Sequence, residues 1–168
     1  MDAIEAILSR RSIRQYKSQK VPDQMIRELL QAAMSAPSAN DERPWHFVVI
    51  HDPKILGEIP KFHPYSGMLK EAPAAILVCV DLDVGTEGFL VQDGSAATEN
   101  ILIAAHAKGL GAVWLGIYPL KERISGMRKL LNIPERILPL SLISIGYPAE
   151  RALKEDRYQP SRVHTNRW

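Results

Sequence analysis

The sequence predicts a domain of intermixed helices and strands, α+β or α/β, on two observations. Four short runs rich in β-branched, aromatic and other apolar residues, at 45–50, 74–80, 112–117 and 140–145, read as strands, and between them apolar residues recur at helical spacing. No internal repeat, low-complexity tract or linker divides the chain, so its 168 residues, 46% of them apolar, are expected to form one domain over 1–168.

The elements follow in order. Asp2 and Glu5 have the spacing of a capping box, and Ile4, Ile7 and Leu8 share a face, which predicts a first helix over about residues 2 to 9. Where it ends, Arg10, Arg11, Arg14, Lys17 and Lys20 accumulate with no acid between Glu5 and Asp23. Pro22-Asp23 then opens a second helix, with Ile26, Leu29, Leu30 and Ala33 on its buried face, that must stop before Pro37. A polar loop, 36–44, leads into the runs at 45–50 and 74–80, both of which read as central strands, with short helical pieces between them. Over 91–108, Ala96, Ala97, Ile101, Ile103, Ala104 and Ala105 surround most of a helix, and Gly109 supplies its cap. The third strand, a helix marked by Ile124, Met127, Leu130 and Leu131, and the fourth strand complete the pattern. Residues 149–168 are polar, yet Tyr158, Val163 and Trp168 are anchors expected to dock on something.

Composition excludes several classes. The longest apolar run, 74–80, is too short to cross a bilayer, and the N-terminus lacks a secretory pattern, so a cytoplasmic protein is expected. A net charge of +2 is too small to argue for nucleic acid, and only Tyr16 is interleaved with the cations for base stacking. Cys79 is the sole cysteine and reads as a buried strand thiol. The five histidines are scattered, which predicts no metal site. Asp81 and Asp83 read as solvated turn residues at a strand exit. Gly109-Leu110-Gly111 lies between a helix and a strand, the reverse of a dinucleotide fingerprint, whereas Leu115-Gly116 ends a strand and could offer backbone N–H groups to a ligand.

Neither Ser12 nor Ser38 has the setting of a nucleophile, and no other catalytic side chain stands out. An enzyme without a reactive group of its own borrows a cofactor. The cluster Arg10-Arg11-Ser12-Ile13-Arg14 suits a phosphate attached to a flat anionic ring. A small RNA- or anion-binding domain is the alternative that the charge alone leaves open.

Four motifs in order, Arg10-Arg11-Ser12-x-Arg14, Ala36-Pro37-Ser38-Ala39 leading to Pro44-Trp45, Asp93-x-x-Ala96-Ala97-x-x-Asn100, and Gly109-Leu110-Gly111-x-x-Trp114-Leu115-Gly116, resemble the FMN-dependent nitroreductase family. The tail from Asp156-Arg157-Tyr158 to Trp168 is similar to its compact branch. The resemblance implies an α+β fold with a small mixed sheet flanked by helices. It also implies an intertwined homodimer with FMN at the interface, the arm 149–168 reaching over the partner. By position, Arg10, Arg11 and Ser12 would hold the phosphate and ribityl chain, Arg157 would be a second phosphate ligand, and Arg14 would lie near the pyrimidine edge. Pro37, Ser38 and Ala39 would line the ring from the other subunit, and the backbone of Leu115 and Gly116 would meet flavin N5 and O4.

The implied activity takes hydride from NADH or NADPH onto flavin N5 and passes electrons to a nitroaromatic, quinone or similar small-molecule acceptor by a ping-pong cycle. Asp41 and Arg43 stand where the family often has Asn and Gln. An acid at position 41 would repel reduced flavin unless turned away or paired with Arg43, and it favours the alternative of a flavin-binding protein without turnover. The segment 61–70 reads equally as a flap over the site or as surface packing.

Overall fold

A computed structural model describes residues 1–153 and 155–168. Five α-helices, α1 (Ala3–Ser9), α2 (Asp23–Met34), α3 (Pro53–Glu58), α4 (Leu90–Ala107) and α5 (Lys121–Leu131), surround one sheet of four strands. These are β1 (Trp45–Ile50), β2 (Ala74–Asp81), β3 (Gly111–Gly116) and β4 (Ile137–Gly146), in the order β1-β2-β4-β3. The α+β class expected from the sequence is the one observed. All three ladders are antiparallel, and among the described residues a parallel pairing occurs only as an isolated bridge between Ser12 and Ala112.

The two-residue period of the strands builds two cores. Ala75, Leu77, Cys79, Val113, Leu115 and Leu142 face Leu56, Ile59, Leu69 and Met127, while Ala74, Ile76, Val78, Ala112, Ile143 and Ile145 face Leu29, Ala33, Ala97, Ile101 and Ala105. Burial on both faces is why β2 and most of β4 read as continuous apolar runs. Each fully buried Leu or Ile contributes about 1.5–3 kcal/mol relative to exposure. Both strands at 45–50 and 74–80 read as central, but β1 is an edge strand and only half-buried over its middle. The apolar helix α4 packs between α2 and the sheet.

Local signals account for the ends of the helices. Asp2 Oδ1 accepts the Glu5 N–H and caps α1. Gly109, at φ 76°, closes α4: its N–H reaches the His106 carbonyl and the Leu110 N–H reaches that of Ala105, a Schellman pair. Asp81 is not a solvated turn residue. It is 2% exposed, with Arg136 Nη1 2.5 Å from Oδ2 and His46 Nε2 3.6 Å away, so a buried carboxylate is matched by a guanidinium that arrives just before β4. The Cys79 thiol is buried as expected, and desolvation raises its pKa to about 12. Among the described residues no helix is long and apolar enough to cross a membrane.

The basic segment is fixed along the outer edge of β3. Ile13 N–H donates to the Ala112 carbonyl (3.0 Å), Lys17 N–H to Tyr147 (2.8 Å), and Ala149 N–H to Gln15 (2.9 Å). Tyr16, buried below it, donates its hydroxyl to the Ile13 carbonyl at 2.7 Å, and burial raises its pKa to about 12. The cluster is thus a structured ribbon.

Candidate functional site

Arg10 follows the last residue of α1, where its N–H caps the helix on the Ala6 carbonyl, and its Nε lies 3.4 Å from Glu99. The Arg11 guanidinium donates to the carbonyls of Arg10 (2.7 Å), Leu8 (3.3 Å) and Glu155 (3.1 Å), so it ties the end of α1 to the C-terminal arm. Arg10, Arg11 and Arg157 line one cleft of about 790 Å³, with Glu155 and Asp156 beside them. Arg157 Nε contacts Glu155 at 3.2 Å. Three guanidinium groups from chain segments nearly 150 residues apart therefore meet in one place.

Arg14, Leu115 and Gly116 line a second cleft of about 410 Å³. Glu150 accepts the backbone N–H groups of Arg14 (2.5 Å) and Gln15 (3.2 Å), which fixes the main chain, and among the described residues no carboxylate lies within ion-pair distance of the exposed Arg14 guanidinium. Ser12 is exposed between the clefts and pairs with Ala112.

Two residues that no motif indicated complete the second cleft. His63 Nε2 donates to the Gly116 carbonyl at 3.1 Å, and Arg123 Nη1 donates to the same oxygen at 2.7 Å. Burial, and then the charge of Arg123, hold the His63 imidazole below its usual pKa, so the neutral tautomer carrying its proton on Nε2 is favoured. Gly116 itself is half-buried, and a Cβ placed there would meet nothing within 4 Å, so its backbone borders open space. The segment 61–70 contributes His63, Tyr65 and Met68 to this cleft.

Pro37, Ser38, Ala39 and Asp41 line neither cleft. They form a separate loop with unusual backbone: Asn40, Asp41 and Arg43 have φ of 51°, 56° and 51°, each a left-handed conformation costing about 1–2 kcal/mol in a residue with a side chain. Side chains of the third motif oppose that cost. Asp93, buried on α4, accepts the Ala39 N–H at 3.0 Å, and Asn100 donates to the Ala32 carbonyl at 2.9 Å. Ser38 Oγ accepts the Arg43 N–H, and Glu42 accepts both the N–H (2.6 Å) and the hydroxyl (2.8 Å) of Thr86. Asp41 and Arg43 form a two-pronged ion pair at 2.7 and 2.6 Å, and Arg43 holds the Asp41 carboxyl below its usual range.

Donor chemistry fits a phosphorylated flavin: guanidinium groups for the phosphate, a hydroxyl and an open backbone beside them, and a further guanidinium for the ring. A model of the nitroreductase family matches residues 7–147. A Methanothermobacter thermautotrophicus protein provisionally named NADH dehydrogenase/NAD(P)H nitroreductase is 52% identical over 169 residues, covering 100% of this chain and 88% of the relative. An FMN-dependent nitroreductase from Clostridium difficile superposes with a TM-score of 0.92 at 29% identity, over 98% of this chain and 99% of its own. A nitroreductase, also provisionally named, from Desulfovibrio desulfuricans, solved in complex with FMN, gives a TM-score of 0.85 at 31% identity, over 100% and 98%.

Proposed function

The chain belongs to the nitroreductase family, and from that membership we propose that it is an FMN-dependent NAD(P)H oxidoreductase acting as a homodimer of one FMN-binding domain per chain. The observation that carries this reading is the convergence of Arg10, Arg11 and Arg157 on one cleft, next to the Arg14 and Gly116 cleft. Bound FMN would supply the chemistry, accepting hydride from NADH or NADPH at N5 and releasing two electrons to a nitroaromatic, quinone or similar acceptor that takes the nucleotide's place.

The chain's own residues bind and orient. Arg10, Arg11 and Arg157 neutralise the phosphate, with Ser12 offering a hydroxyl to the phosphate or ribityl chain. Arg14 presents fixed positive charge to the pyrimidine edge, where two-electron reduction adds negative charge, so it favours the reduced state more than the oxidised one. His63 and Arg123 hold the Gly116 carbonyl, and with it the direction of the backbone that would meet N5 and O4. Pro37, Ser38, Ala39 and Asp41, absent from either cleft within one chain, are assigned to the ring of the partner's FMN. The arm 149–168, held to its own chain through Ala149, Glu150 and Glu155, is assigned to reach over the partner's surface beyond Arg157. The Arg43 ion pair compensates the Asp41 charge that favours a flavin carrier without turnover, and so supports the enzyme.

The purified protein is expected to be yellow, to bleach anaerobically with NADH or NADPH, and to recover its absorbance on adding a nitroaromatic or quinone. Flavin that binds but never bleaches would establish the carrier instead, and failure to take up FMN would contradict both readings.

A further inference from the structure

Resting on the oxidoreductase reading, we propose that the cleft beside Gly116 selects aromatic acceptors bearing an anionic substituent, a carboxylate or sulfonate. Arg14 on one side of it is assigned to the flavin, but Arg123 borders it as well, and among the described residues no carboxylate lies within ion-pair distance of Arg123. Arg10, Arg43, Arg128, Arg136 and Arg157 each have such a carboxylate, whereas Arg11, Arg27, Arg151, Arg162 and Arg167 have none among the described residues, so it is the setting of Arg123 beside open aromatic walls, and not the lack of a partner alone, that points to a ligand.

Arg123 is also oriented in advance. Its Nη1 is anchored on the Gly116 carbonyl at 2.7 Å, and its Cζ lies 5.7 Å from the centre of the Tyr65 ring. It makes no other hydrogen bond among the described residues, so further N–H donors remain for a ligand. A guanidinium already held in place loses less side-chain entropy on binding an anion than a free one would.

Apolar recognition comes from the same walls. Tyr65 is 73% exposed and Trp114 36%, so two aromatic side chains stand open where a substrate ring would lie. His63, whose N–H is taken up by the Gly116 carbonyl, adds no competing charge. For a nitroaromatic acceptor, one hydride and one proton take the nitro group to nitroso plus water, and the anionic substituent is unchanged.

The test compares para-nitrobenzoate with its neutral counterpart para-nitrobenzamide on the FMN-loaded protein, through kcat/KM with saturating NADH or NADPH. In parallel, quenching of intrinsic tryptophan fluorescence without nucleotide gives the affinity for each. Wild-type protein is expected to favour the benzoate about tenfold in both, the worth of one charge-assisted hydrogen bond, and less at high salt. Arg123→Gln should bring both ratios to within about twofold of unity, and Arg123→Lys should retain most of the preference. Equal values for the two compounds in wild-type protein would overturn the proposal. So would a proportional loss for both in Arg123→Gln, which marks a purely structural role, or a changed NADPH-to-NADH ratio with the acceptor ratio intact. Absence of flavin uptake or bleaching would remove the oxidoreductase reading, while the fluorescence ratio would still decide the anion preference.

Discussion

Arg14 is anchored by its backbone and free at its charge: Glu150 takes the main-chain N–H, and the guanidinium faces the cleft shared with Gly116. Arg14→Ala should therefore lower the reduction potential of bound FMN, by on the order of 30 mV for ~1.4 kcal/mol in a two-electron couple. An unchanged potential in FMN-loaded variant protein would remove Arg14 from the ring. His63 gives a prediction about pH. Its folded pKa is depressed, whereas in the unfolded chain it titrates near ~6.5. Above that value the imidazole is neutral in both states. As pH falls below it, the unfolded state takes up the proton first, so stability declines until the folded pKa is passed. His63→Gln, which keeps a donor for Gly116, should show a smaller fall in Tm between about pH 7.5 and 5.5 than the wild type, and an equal fall would contradict this assignment. Arg10, Ser12, Arg14 and Gly116 were legible in the sequence because they sit in short motifs. His63 was reached only within the segment 61–70, read equally as a flap or as surface packing, and Arg123 not at all, because their contact is with a carbonyl that only the fold brings near and an isolated Arg carries no local signal.

The ribbon 10–17, β3 and β4 form one structural unit, and Gly111 is its tightest point. A Cβ at Gly111 would lie 2.6 Å from Ile13 Cγ2 and 2.8 Å from Ile13 Cβ, atoms too near the backbone to move without displacing the ribbon. Gly111→Ala should cost about 1–3 kcal/mol of stability by overpacking and weaken FMN retention although it touches no cofactor. Thermal denaturation and dialysis measure the two effects, and a stable variant with full flavin content would show that the ribbon is not held this way. The six-residue α3 was read only as one of the short helical pieces after β1, whereas periodicity located all four strands and four of the five described α-helices because apolar spacing is a local property. It could not tell the edge strand β1 from the central β2, since Trp45 to Ile50 is nearly as apolar as β2 and sheet order depends on non-local pairing. Asp81 was misread for a similar reason: its main partner, Arg136, is 55 residues away.

Apolar groups exposed on one chain support the proposed homodimer. Ile4, Ile7 and Leu8 on α1 are more than half exposed, as are Met34 and Phe89, and Trp168 is fully exposed, stacked only on His164 at 4.4 Å. Burying such groups is the expected gain from a second copy. Deleting residues 152–168, which spares Glu150, should shift the protein towards monomer in sedimentation and reduce FMN affinity at least about tenfold through loss of Arg157. A fully dimeric, fully loaded deletion variant would contradict the role given to the arm. A composite site of this kind is only partly readable from sequence, because its halves are assigned to different chains and their relation is not encoded in spacing.

The central claim is that Arg10, Arg11 and Arg157 form a phosphate site for FMN. Titration of apoprotein with FMN and with riboflavin, followed by quenching of flavin fluorescence, tests it most directly because the two ligands differ only in the phosphate. Wild-type protein should bind FMN at least about tenfold more tightly than riboflavin, and Arg10→Ala should lose most of that difference while leaving riboflavin affinity nearly unchanged. Equal affinity for both flavins in wild-type protein, or an FMN affinity untouched by Arg10→Ala, would contradict it.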